Sequence, residues 1–144
     1  GYDSDIIRDL KLNINFSSGA SSVSILQGGS SSYFENITIS CVSSSNDTEL
    51  LWLNGGKFVN SKIIIDACEP SIYAENCILS GVRVQDNIGY AHVDARNNTT
   101  ITGCRGLSIS IKQNVSGVIA ANNSDTVIYN ASTLTNGIYN NITS

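Results

Sequence analysis

At 144 residues and 41% hydrophobic, the chain is one domain's worth of sequence with enough apolar side chains to bury a core, which excludes a disordered tail. Only 14% of residues are charged and the net charge is −4, so neither a basic stripe nor a nucleic-acid partner is expected. Asn (17), Ser (22) and Gly (12) are abundant while helix formers are scarce, so an all-β protein is expected.

Residues 1–9 are polar and acidic, with Asp3, Asp5 and Asp9 around Ile6 and Ile7, and read as an arm or capping turn. Leu10, Leu12, Ile14 and Phe16 then alternate with Lys11, Asn13 and Asn15, the pattern of a half-buried strand. A Ser/Gly/Ala loop, a short strand at Val23–Leu26 and a turn at Gly28–Ser32 complete an expected N-terminal strand and capping region, 1–32.

From residue 33 to 144 one unit recurs: an apolar residue, a turn containing Asn, then a short β-branched strand. It begins as Phe34-Glu35-Asn36-Ile37-Thr38-Ile39-Ser40 and returns at Phe58–Ile65 and Tyr73–Leu79, with looser copies to the C-terminus. Taking Asn36, Asn60, Asn76, Asn98, Asn123 and Asn141 as markers gives spacings of 24, 16, 22, 25 and 18, a mean of 21. A repeat of that length holding short strands and a polar turn marks a solenoid, here of about six coils. The only excursion is Ser43 to Thr48, after which Leu50-Leu51-Trp52-Leu53 supplies the only Trp. Further along, Val82 and Val84 oppose Arg83 and Gln85, and Val93 and Ala95 oppose His92, Asp94 and Arg96.

Short strands separated by Asn and Gly turns, with no helical stretch between, resemble the parallel β-helix proteins, the class of pectate-lyase-like enzymes and phage tailspikes. The resemblance covers roughly residues 33–143 and implies a ladder of stacked turn amides, for which Asn36, Asn60, Asn76 and Asn98 are the candidates. An antiparallel β-sandwich or jelly roll is the competing fold. The repeat phase predicts a buried column of Ile39, Ile65, Leu79, Ile101 and Val127.

Chemistry is sparser. His92, Asp94 and Arg96 project from one strand face, and with Arg83, Gln85 and Asp86 they are candidates for a glycan-binding surface. Exposed Trp52, Tyr73, Tyr90 or Tyr129 would add stacking for a sugar ring. Asp66, Glu69, Asp86 and Asp94 are the acids that a glycoside-cleaving pair would have to use. Nine N-x-S/T triplets begin at Asn15, Asn36, Asn46, Asn97, Asn98, Asn114, Asn122, Asn130 and Asn141, against about four expected by chance, and are glycosylation candidates. Nothing predicts a metal or cofactor.

Cys41, Cys68, Cys77 and Cys104 lack zinc-site spacing, so disulfides outside the cytoplasm are expected. In the repeat register Cys41 and Cys68 follow equivalent strands, which predicts a Cys41–Cys68 bond at a Cα separation of about 5 Å. Cys77 and Cys104 are left either free or linking neighbouring subunits. No run of 18 apolar residues exists, so no membrane insertion is expected, and the absence of Met suggests a processed chain or a fragment.

The leading expectation is a non-enzymatic extracellular structural protein that self-assembles into a fibre, sheath or surface layer at the cell surface. The alternatives are a phage tail fibre or tailspike segment of a virion that binds a surface glycan and, behind it, a polysaccharide lyase or hydrolase.

Overall fold

The computed structural model describes residues 5–16, 24–43, 48–66, 70–86, 91–111, 117–124, 127–130 and 138–142. Their strands form three sheets. The seven-stranded sheet holds β1 (Ile6–Arg8), β4 (Tyr33–Glu35), β7 (Lys57–Val59), β10 (Ile78–Ser80), β13 (Thr100–Thr102), β15 (Ile119–Ser124) and β17 (Ile138–Ile142). The four-stranded sheet holds β2 (Lys11–Phe16), β5 (Thr38–Ser43), β8 (Lys62–Asp66) and β11 (Arg83–Asp86). The six-stranded sheet holds β3 (Leu26–Gly28), β6 (Thr48–Asn54), β9 (Pro70–Glu75), β12 (Ala91–Ala95), β14 (Leu107–Ile111) and β16 (Val127–Asn130).

The chain visits the sheets in rotation, and every strand pairs in parallel with the strand one circuit away. The protein is a parallel β-solenoid. An antiparallel sandwich is excluded by that pairing, and among the described residues there is no helix. β1, β2 and β3, inside the region expected to be a cap, already pair in register with β4, β5 and β6.

Two corners are built from residues that tolerate a positive φ. Between the seven- and four-stranded sheets stand Asp9, Asn36, Asn60, Gly81, Gly103 and Asn122, with φ of 55, 55, 50, 64, 64 and 58°. Asn, Asp and Gly recur here because other L-residues pay a steric cost in the left-handed region. Gly81 has a second reason: a Cβ there would lie 2.7 Å from Asn60 Oδ1. Between the six- and seven-stranded sheets, Gly56, Asn76, Asn98 and Gly117 take the same conformation at φ 72, 51, 52 and 70°.

The expected single Asn ladder is therefore two ladders. Asn36 Nδ2 donates to Asp9 Oδ1 (2.6 Å) at the first corner, while Asn98 Nδ2 donates to Asn76 Oδ1 (3.1 Å) and Asn76 Nδ2 to Asn54 Oδ1 (3.4 Å) at the second. Asn60 and Asn76 are only 16 residues apart because they mark different corners of the circuit.

The interior is a stack of apolar rungs. Ile7, Phe34, Phe58, Leu79, Ile101 and Ala120 pair in succession along the seven-stranded sheet, and all but Ile7 are fully buried. The predicted column is corrected by this register: Leu79 and Ile101 do stack, but Ile39 pairs with Ile63 on the four-stranded sheet and Val127 with Ser108 on the six-stranded sheet. The buried polar side chains Ser61, Thr99 and Asn123 at the corners are satisfied. Ser61 Oγ accepts from Ile37 N and donates to Val59 O, Thr99 Oγ1 donates to Ala74 O, and Asn123 accepts from Cys104 N while donating to Ile101 O. Each such bond avoids the cost of about 1–3 kcal/mol for an unsatisfied buried group.

Candidate functional site

Because inward positions are filled by the core, function has to be carried by the outward side chains of the three sheets. On β12 the expected alternation holds: Ala91, Val93 and Ala95 are buried, His92 is exposed and Asp94 half-buried. Arg96 follows the strand and pairs with Asp94 at 3.2 Å. Parallel register then builds a column that the sequence does not display, running Gln27, Trp52, Tyr73, Asp94 on successive strands.

Trp52 and Tyr73 stack at 4.6 Å between ring centroids, and the Arg96 guanidinium lies 4.7 Å from the centre of the Tyr73 ring. One rung apart, two rings can meet face to face, and a cation over the second ring is attracted by its quadrupole. Around this stack, Tyr73 OH donates to Glu75 Oε2 (2.7 Å) and Asn97 Nδ2 to Glu75 Oε1 (3.1 Å). Partial burial, then the bond to Glu75, raises the Tyr73 pKa, while those two donors hold the Glu75 carboxyl below its ordinary value. Burial works against the Arg96 charge, but the hydrogen bond to Asp94 together with the charge interactions with Asp94, Tyr73 and Glu75 outweighs it, and the Arg96 pKa rises. The free end of the stack is Trp52, 40% exposed. On the side away from Tyr73 it lines a shallow recess of about 310 Å³ with Gln27, Gly28, Gly29 and Asn54.

The predicted glycan-binding group does not come together as one surface. Arg83 and Gln85 are exposed on β11 of the four-stranded sheet, whereas β12 neighbours β9 and β14, so His92, Asp94 and Arg96 belong to a different face. Five residues that sit close in sequence are thus divided by a corner. Asp66 and Asp86 end strands of the four-stranded sheet and Asp94 is on the six-stranded sheet. Glu69 and Tyr90 lie outside the described residues.

Of the glycosylation candidates, Asn15, Asn36, Asn98 and Asn122 are exposed, and Asn97 is half-buried with its amide on Glu75. In Asn36 and Asn98 the amide nitrogen that would carry a glycan is the ladder donor. Asn46 and Asn114 lie outside the described residues, and Asn130 and Asn141 fall on β16 and β17.

Cys41 is buried opposite Ile65, three residues before Cys68, which lies outside the described residues. Cys77 and Cys104 are free thiols, 2% and 1% exposed. Burial pushes them up to about 12 and about 11. Neither sulfur is at the surface to link a neighbouring subunit.

What sequence reading missed entirely is the outward column two residues after the first corner: Lys11, Thr38, Lys62, Arg83, Arg105 and Ser124. The signal was present, since each of these follows a positive-φ corner residue by two. It was hidden because the Asn markers mixed two corners. Compared with known proteins, the chain matches no family model, no curated protein and no solved structure.

Proposed function

We propose that the protein is a non-catalytic structural component of an extracellular or cell-surface layer, and that its solenoids assemble by packing sideways through the seven-stranded sheet. One observation carries this reading. From β10 to β15 the outward residues of that sheet are Ile78, Ser80, Thr100, Thr102, Ile119 and Ala121, a surface without charge on which Ile119 is 36% exposed. Charge is what protein surfaces use to prevent such association. The lower part of the sheet is more polar, with Lys57 and the Arg8–Glu35 pair at 3.0 Å. Concentrated protein examined by light scattering and electron microscopy is expected to give fibres, sheets or closed rings. A strict monomer at all concentrations rejects the reading.

A glycan-binding role, as on a virion tail, is favoured by the exposed Trp52 face and the amide-lined recess beside it. Aromatic faces stack on the apolar faces of sugar rings, and the Gln27 and Asn54 amides offer neutral donors and acceptors. Glycan-array binding that disappears in Trp52→Ala supports this role, and an array without a binder at millimolar concentration removes it. Polysaccharide cleavage is the third reading: of its candidate acids, Asp66 and Asp86 end the adjacent strands β8 and β11, while Asp94 lies on another sheet.

A further inference from the structure

Lys11, Lys62, Arg83 and Arg105 are four of the chain's eight Lys and Arg residues, and they stand in a single outward column of the four-stranded face. All four are exposed. Lys62, Arg83 and Arg105 occupy successive rungs, about 4.8 Å apart at the spacing of paired strands. Lys11 is two rungs from Lys62, across Thr38.

Like charges directly opposed across a sheet repel, so strand pairing alone does not call for such a column. Nor does overall charge, because the chain is acidic at −4. A ligand that supplies negative charge at the same interval does account for it.

The neighbouring column narrows the ligand. Asn13, Ser40, Ile64 and Gln85 run beside the cations, with two amides and a hydroxyl among them and no aromatic ring. Single-stranded nucleic acid is held by cations together with aromatic platforms on which bases stack, and among the described residues these two columns lack the platform. Amides and hydroxyls beside a line of cations instead suit a chain rich in hydroxyl groups. We infer that this column is a binding track for a linear anionic polysaccharide, lying along the solenoid axis with a carboxylate or sulfate at each rung.

The track is independent of the Trp52 recess, which belongs to another sheet, and of sideways assembly. Contacts of this kind release counterions, so affinity falls as salt rises in proportion to the number of charges neutralised.

Labelled alginate, a linear glycan with one carboxylate per ring, is the probe, titrated with the full chain and followed by fluorescence anisotropy. Saturable binding at low salt is expected, weakening steadily as salt is added, with no binding of neutral dextran. The double variant K62Q/R83Q should lose at least ~10-fold in affinity, since it removes two adjacent charge contacts, and Lys11→Gln only ~2-fold. Both replace exposed side chains, and an unchanged circular-dichroism melt shows that the fold is retained. Three results overturn the inference: no alginate binding at low salt, equal binding by wild type and K62Q/R83Q, or tighter binding to single-stranded DNA or phosphatidylserine vesicles than to alginate.

Discussion

The seven-stranded and four-stranded sheets meet at one corner and share its left-handed Asn, Asp and Gly residues, yet they present opposite surfaces. Before the corner the outward residues from β10 to β15 are Ile, Ser, Thr and Ala; two residues after it come Arg83 and Arg105, with Lys62 one rung below. Inside, both sheets bury the same kind of residue, Phe58 and Leu79 on one and Ile39 and Ile63 on the other. The contrast shows where the repeat is constrained. Closing a circuit fixes the inward positions and the corner φ, and leaves each outward column free to carry its own chemistry, repeated at the rung spacing.

The largest expected effect falls where the faces agree. Phe58→Ala removes a ring packed between Phe34 and Leu79 and should cost about 3–5 kcal/mol, with Ile63→Ala at about 2–5 kcal/mol, both read from denaturant unfolding. The outward neighbour Val59→Ala should stay within about 0.5 kcal/mol. A comparable loss at Val59 would break the distinction between inside and outside.

At the shared corner, Asn60→Ala forces an alanine to φ 50° and should destabilise by about 1–2 kcal/mol, the cost of the left-handed region for an ordinary L-residue. Asn60→Gly keeps the conformation and should cost less, so equal losses would show that the backbone is not the reason for Asn there.

Cys104 lies just past the same corner, and its effect is the most gradual. Its thiol rises from an ordinary 9.0 to about 11 through burial, and that of Cys77 to about 12. A folded pKa above the unfolded one means the stabilisation is complete below about pH 9 and is lost as pH climbs through 11 to 12. Unfolding free energy should therefore decline with pH above 9. In native protein at pH 8 both thiols should resist a disulfide reagent that labels them at once in denaturant. Rapid native labelling would contradict their burial.

Much of this was legible in the sequence, and the failures are failures of phase. The repeat of about 20 residues and the alternation in β12 were readable because inward apolar residues recur with period two. The phase was not, because Asn serves two corners: Asn36 and Asn60 turn the chain into the four-stranded sheet, while Asn76 and Asn98 return it to the seven-stranded sheet. Treating those four as one column groups Arg83 with His92 across a corner, whereas matching Ile39 with Ile65 is a separate slip of two residues within one corner, since Ile63 follows Asn60 by three as Ile39 follows Asn36. Gly81 and Gly103 hold the same corner conformation without an amide, so the true column was punctuated by residues that a search for Asn skips. The cation track and the Trp52–Tyr73 stack both arise from register between residues 21 or 22 apart, which no local motif reports.

Sedimentation velocity on three chains tests the claim that the outer faces divide the work. Wild type should self-associate as concentration rises. Ile78→Lys combined with Thr100→Lys puts charge on the seven-stranded face and should hold the protein as a monomer with an unchanged melt, while K62Q/R83Q should associate like wild type. A monomeric wild type, or association that survives lysines at positions 78 and 100, would contradict the account.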